Sequence, residues 1–181
     1  MHNDIESVLF SAEEIQTGLQ RLGREIETYY GDAEFTVVGV LKGAVVFMAD
    51  LVRNMSTHLE LAFVGASSYG DGTVSGELTL NFFPHEGEIK GRRVLLLDDI
   101  LDTGKTMSAL KGEFERRGAA EVKTCVFLDK PSRRAVELEA DFRCFEVEDL
   151  FVVGYGLDYA GRYRNLPYVG ALKPAMYAAP A

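Results

Sequence analysis

With 181 residues, 47% of them hydrophobic and 26% charged, the chain is long enough for one sizeable core, and a single domain is the expectation. Its 28 acidic and 19 basic residues leave a net charge of −9, which argues against a general nucleic-acid binder, because neutralising phosphates takes clustered Lys and Arg. No apolar run approaches the ~20 residues of a membrane span, the start "MHNDIESVLF" does not read as a secretory signal, and Cys125 and Cys144 lack metal-ligand spacing, so the expectation is a cytoplasmic chain with two buried free thiols.

Residues 11–30 read as an amphipathic helix, with Ile15, Leu19, Leu22 and Ile26 on one face. Ser11 and Glu14 have capping-box spacing, Phe10 is placed to staple onto Ile15, and Gly31-Asp32 ends the helix. "FTVVGVL" (35–41) is a buried strand, Lys42-Gly43 a sharp break, and "AVVFMADLVRNM" (44–55) a largely buried helix. Strand, turn and helix begin a βαβ unit. "LELAFVGASS" (59–68) is a second strand, and the glycines of "YGDGTVSGE" (69–77) predict a mobile loop. "LTLNFF" (78–83) reads as a strand and "PHEGEIKG" (84–91) as a turn; no function attaches to residues 80–91. Residues 93–97 form a third buried strand, and 106–117 a helix with Met107, Leu110 and Phe114 inward, closed by Gly118. "VKTCVFL" (122–128) is a fourth strand; "DFRCFEV" (141–147) and "LFVVGYGL" (150–157) are short ones.

This alternation predicts an open, mostly parallel α/β sheet. Ligands bind such sheets beyond the carboxyl ends of the strands. Four polar segments stand at strand ends: Lys42-Gly43, Ser67-Ser68-Tyr69, the turn at 98–102, and Asp129-Lys130.

The most informative stretch is "VLLLDDILDTGKT" (94–106). It ends like a nucleotide-binding P-loop, but a glycine is required five positions before the glycine of Gly-Lys-Thr, and Asp99 stands there. A turn that caps the next helix, with Asp102 or Thr103 as N-cap, accounts for part of the pattern. It leaves two further acids at the end of an apolar strand unexplained. Clustered carboxylates raise one another's pKa unless a cation or a polyol shares the site. Asp98 and Asp99 suit ribose hydroxyls and Mg²⁺, whereas Thr103, Gly104, Lys105 and Thr106 suit a phosphate at a helix N-terminus.

This stretch closely resembles the phosphoribosyl-pyrophosphate (PRPP) motif of type I phosphoribosyltransferases. Together with "LKG" (41–43), "SSYG" (67–70), "LDKPSRR" (128–134) and "FVVGYGLDYAGRYRNLPYVGAL" (151–172), it resembles the hypoxanthine-guanine phosphoribosyltransferases over nearly the whole chain from about residue 35. The resemblance implies the type I phosphoribosyltransferase fold: an α/β domain with a mostly parallel central sheet flanked by helices, and a small hood. The single domain over 1–181 would divide into a core of about 35–150 and a hood from about 1–34 and 151–181. The implied activity is purine salvage, the Mg²⁺-dependent transfer of phosphoribose from PRPP to hypoxanthine or guanine, giving IMP or GMP and pyrophosphate. Homo-oligomers, dimers or tetramers, are the family's habit; neither a membrane nor a nucleic acid is an expected partner.

The resemblance also implies roles. Asp102 matches the general base that faces the purine N7. Asp98 and Asp99 match the acidic pair holding the ribose hydroxyls and Mg²⁺, where many family members carry Glu-Asp. Thr103, Gly104, Lys105 and Thr106 match the 5′-phosphate loop. Lys42 and Gly43 match the pyrophosphate loop, where the family has a cis peptide after the leucine; Ser68 and Tyr69 match the loop that closes over the site; Arg164 matches an arginine reaching pyrophosphate. Lys130 matches the donor to the purine 6-oxo group, Phe151 the aromatic stacking on the ring, Val152 the backbone reading the Watson–Crick edge, and Asp158 an acid near a second Mg²⁺. Taken singly, Lys130 reads as a solvated lysine, Phe151 as strand packing and Arg164 as a surface ion pair. A rival of another class is an RNA-binding regulator on the same fold; Asp102 and the intact C-terminal block argue against it. Among bases, Lys130 disfavours adenine and leaves xanthine open.

Overall fold

The computed structural model describes residues 1–68 and 78–178. Tyr69 and the rest of the expected mobile loop lie outside the described residues.

A short 3₁₀ turn at His2–Asp4 leads into β1 (Ile5–Phe10). Helix α1 (Ala12–Tyr30) starts at Ser11, whose hydroxyl accepts from Glu14 N while Glu14 Oε2 accepts from Ser11 N at 2.8 Å, so the capping box forms as its spacing predicts. Its apolar stripe, Ile15, Leu19, Leu22 and Ile26, is fully buried, and Gly31 at φ 57° ends it. Phe10 stacks on Phe145, with ring centroids 4.3 Å apart, and packs against the same cluster as Ile15.

Strand β2 (Phe35–Leu41), helix α2 (Ala44–Val52), β3 (Leu59–Ser68) and β4 (Leu78–Phe82) follow. Then come β5 (Arg93–Leu101), α3 (Lys105–Arg116), β6 (Glu121–Asp129) and β7 (Phe142–Glu146). These six strands make one sheet in the order β4-β3-β2-β5-β6-β7, parallel except for β4. Its inner strands carry near-continuous apolar runs because α1 and α2 cover one face and α3 the other. A second, three-stranded antiparallel sheet, β1-β9-β8, joins the N-terminus to β8 (Val152–Val153) and β9 (Val169–Leu172).

Several expectations shift. The third buried strand runs on to Leu101, so Asp98 and Asp99 belong to β5 and not to the turn after it. Helix α3 is capped by Gly104, at φ 80° and without a side-chain cap bond, so neither Asp102 nor Thr103 is its N-cap. The short strand expected over 150–157 is only Val152–Val153; the chain from Gly154 to Tyr168 is turn-rich, with Tyr155, Ala160 and Tyr163 at positive φ. Helix α1 shares its buried cluster with β2, β5 and β6, and Val152 and Val169 of the small sheet join the same cluster. The unassigned stretch 80–91 is structural: Phe83 lies against Phe114 of α3 at 4.4 Å, the Arg117 guanidinium covers Phe83 at 4.0 Å, and Ile89 is fully buried.

Candidate active site

The chain leaves β2 for β3 on one side, and β5 lies on the other side of β2. Sheet order therefore reverses between β2 and β5, where open α/β sheets place their ligands. At that crevice Leu41-Lys42 is a cis peptide, as the resemblance implies, and Gly43 lies directly against Asp99. A Cβ on Gly43 would stand 1.7 Å from Asp99 Oδ2. Only glycine lets the β2 turn and the β5 acid occupy this space.

Asp99 lines a cavity of about 360 Å³ together with Ile100, Asp102, Lys130, Arg133, Leu150, Phe151, Val152, Leu157 and Asp158. That volume suits a small ligand. Five elements or loops meet there: β5, the turn after it, the end of β6, β8, and the turns that follow.

Asp98 Oδ1 accepts from Asp99 N at 2.9 Å. Both carboxyls hold their protons above the usual range. Burial is the main cause for each; the neighbouring Asp99 charge adds to it at Asp98, and the Arg164 charge partly offsets it at Asp99. Such a pair favours a cation or a polyol as a third party. The oxygen donors of Asp99 and Asp158 in one cavity fit Mg²⁺, which takes one or two carboxylates and completes its shell with substrate phosphates and water. Among the described residues no group of three acids, histidines or cysteines converges on a metal site.

Asp102 follows β5. Its Oδ1 is shielded from water and has no hydrogen-bond donor; Arg133 Nε stands 3.1 Å away, a charge contact whose N–H is not aligned along it. Paired with Arg133 and lining the cavity, this carboxylate is placed to meet a ligand. Beyond it, the first bond inside α3 runs from Ser108 N to Gly104 O at 2.9 Å. The amides of Lys105, Thr106 and Met107 thus have no carbonyl one turn back and can serve an anion.

Lys130 is buried, only 6% exposed, which removes the solvated reading. Its Nζ donates to Leu150 O at 2.8 Å and sits 3.5 Å from Asp149 Oδ1. Three donors on the ammonium leave capacity for a ligand oxygen. Phe151 is 38% exposed, so core packing does not explain it either. Val152 is buried in β8, and pairs with Ala171. Arg164 is an ion pair, but not a surface ornament: Nη2 holds Asp158 Oδ1 at 2.6 Å and Nη1 donates to Gly156 O at 2.5 Å, tying the two turns together. It lines a neighbouring cavity beside Val46, Asp50 and Tyr155. Ser68 ends β3 near the crevice, and its partner Tyr69 lies outside the described residues.

The sequence marks Asp129 only as a strand-end residue and gives Arg134 no role. Arg134 Nη1 donates to Leu101 O at 3.0 Å and to Asp102 O at 2.6 Å, and Nη2 pairs with the buried Asp129 carboxylate. Ala135 N donates to Thr103 O at 2.9 Å. The segment after β6 therefore splints the acidic turn. Ile100, Leu150 and Leu157 also line the cavity, and nothing local distinguishes an apolar cavity wall from core; Arg133 lines it beside Asp102.

Comparison with known proteins agrees with this geometry. The phosphoribosyl transferase domain family matches residues 9–160. The chain is 50% identical to the hypoxanthine-guanine phosphoribosyltransferase of Bacillus subtilis (strain 168), over 98% of each chain. It is equally similar, 50%, to the bifunctional protein TilS/HprT of Listeria monocytogenes, of which it spans 28%. A crystal structure of a hypoxanthine phosphoribosyltransferase from Staphylococcus aureus superposes with a TM-score of 0.94 at 40% identity, over 99% of this chain and 97% of that one. The chain belongs to the phosphoribosyltransferase family, and within it to the hypoxanthine-guanine phosphoribosyltransferases, a class of enzymes.

Proposed function

We propose that the chain transfers the phosphoribosyl group of PRPP to hypoxanthine or guanine, giving IMP or GMP and pyrophosphate, with Mg²⁺ as cofactor. The observation that carries the reading is the Asp102 carboxylate in one cavity with the Lys130 ammonium and the exposed Phe151 ring.

In this reading Phe151 stacks on the purine, Lys130 donates to its 6-oxo group, and the Val152 backbone meets its edge. A donor at that point disfavours adenine, whose amino group would leave it unpaired. Asp102 takes the purine proton as the glycosidic bond forms; its position supplies the catalysis, since a carboxylate is a weak base in water. Asp98 and Asp99 hold the ribose diol, and Thr103, Gly104, Lys105 and Thr106 the 5′-phosphate. Lys42, Gly43 and Arg164 address the pyrophosphate, and Ser68 and Tyr69 close over the centre to exclude water. Asp98, Asp99 and Asp158 would hold Mg²⁺, which would supply charge neutralisation for the leaving pyrophosphate. Two buried free cysteines accord with the reducing cytoplasm. Exposed Leu61 and Phe63 of β3 and Phe82 of β4 support a homo-oligomer.

The test is an assay with PRPP and Mg²⁺ against each purine and pyrimidine base. Hypoxanthine and guanine react, and adenine and uracil do not; no nucleotide from either 6-oxopurine refutes the proposal. Asp102→Asn lowers kcat about 10²- to 10⁴-fold, and wild-type turnover in that variant removes Asp102 as the base.

A further inference from the structure

The chain beyond β9 has a place in the site that its sequence does not announce. After Leu172 it makes a 3₁₀ turn, Pro174–Met176, and brings the Tyr177 ring onto Phe151. The two rings are stacked, with centroids 4.7 Å apart and planes 19° from parallel. Tyr159 meets the same phenylalanine edge-on at 5.2 Å. Phe151, Leu150 and Val152 line the acid-bearing cavity, while Tyr177 and Tyr159 are absent from its wall. Phe151 thus belongs to the cavity wall and carries Tyr177, which does not.

Tyr177 is also held in position. Lys173 N donates to Asp4 O at 2.9 Å and Lys173 Nζ to Asn3 O at 2.7 Å, anchoring the turn on the N-terminal segment. Asp4 in turn accepts from the Tyr163 hydroxyl at 3.1 Å. Within the turn, Tyr177 N donates to Pro174 O at 3.2 Å and Ala178 N to the same oxygen at 2.8 Å. An exposed phenylalanine just before a two-residue strand has little core around it. A ring stacked behind it restricts its rotamers, and so lowers the ordering cost of stacking a base on its front.

We infer that Tyr177 is a positioning residue for the purine site, backing Phe151 so that base, phenylalanine and tyrosine form a three-layer stack. This rests on the assignment of Phe151 to the purine. The N- and C-termini of the chain then cooperate in base affinity without touching the base.

The experiment measures KM for hypoxanthine and for PRPP in the full chain, in Tyr177→Ala, in Tyr177→Phe, in Phe151→Leu and in Tyr177→Ala combined with Phe151→Leu. Tyr177→Ala raises KM for hypoxanthine about 2- to 12-fold, the range of an aromatic pair, and leaves KM for PRPP within twofold. Tyr177→Phe restores the wild-type value, because the ring and not the hydroxyl makes the contact. With Phe151→Leu already present, Tyr177→Ala adds less than twofold. An unchanged or lowered KM for hypoxanthine in Tyr177→Ala overturns the inference, as does an equal rise in both KM values. If the full chain itself makes no nucleotide from a 6-oxopurine, it is the underlying functional proposal that has failed.

Discussion

Replacing Arg134 by Met separates folding from site geometry. The guanidinium joins three acceptors: the Leu101 and Asp102 carbonyls, at 3.0 and 2.6 Å, and the Asp129 carboxylate. Asp129 is 4% exposed, and its other cation, Arg143, is 3.4 Å away on a half-exposed side chain. Methionine removes all three bonds and leaves the buried carboxylate with that distant partner. Breaking a buried pair from one side costs about 3–5 kcal/mol. At about 2–4 °C per kcal/mol for a domain of this size, the melting temperature falls by roughly 6–20 °C. Asp129→Leu with Arg134→Met replaces the pair by apolar volume and recovers much of that loss. It does not restore the anchor on the Asp102 carbonyl. Misplacing a reacting group by ~1 Å costs up to about 10²-fold. The double variant should therefore melt near wild type with kcat/KM reduced about 10²-fold, measured by calorimetry and by nucleotide formation from PRPP. Wild-type turnover in the stable double variant would refute the splint.

Gly43→Ala puts a methyl carbon 1.7 Å from Asp99 Oδ2, so the carboxylate or the turn must move. PRPP binding measured by calorimetry weakens at least about tenfold, and unchanged binding would show that Asp99 does not hold the ribose. Asp141 accepts from Lys123 Nζ at 2.7 Å and from Thr124 N and Oγ1 at 2.8 and 2.9 Å. Burial pushes its carboxyl up, but the Lys123 and Thr124 bonds together hold it below the usual range. Its contribution is therefore complete above the ordinary carboxylate pKa of ~3.9 and is lost as pH falls through its lower folded value. Asp141→Asn lowers the melting temperature by a few °C between pH 5 and 8, and the gap to wild type closes below about pH 4; a gap that widens in acid contradicts the assignment.

Local pattern located β2, β5, α3 and β6, but gave one strand over 150–157 where only Val152–Val153 forms one. The capping box at Ser11, the 3.6-residue stripe of α1 and the apolar runs of β2, β5 and β6 are signals within a few residues, and each appears in the fold. The acidic stretch stood out because three carboxylates at a strand end are costly unless something binds them. The end of β5 was misplaced because apolar composition stops at Leu97 whereas the ladder to β6 continues through Asp98 to Leu101. Pairing is a backbone property and tolerates acids. The cap of α3 was misread because Asp102 and Thr103 have good capping chemistry, but their carbonyls are engaged by Arg134 and Ala135, and the helix starts later.

By itself, then, the sequence determined the sheet, the acidic turn and the residue types available to grip a sugar phosphate and a purine, since these follow from short-range periodicity and from the chemistry of adjacent side chains. Only the tertiary structure decided that Lys130 is buried and Phe151 exposed, that Gly43 admits Asp99, that Arg134 fastens the acidic turn, and that Tyr177 stacks on Phe151. Those facts join residues from 26 to 56 positions apart, or fix which side of an element meets solvent. Chain distance carries no such information; packing and charge neutralisation in three dimensions do.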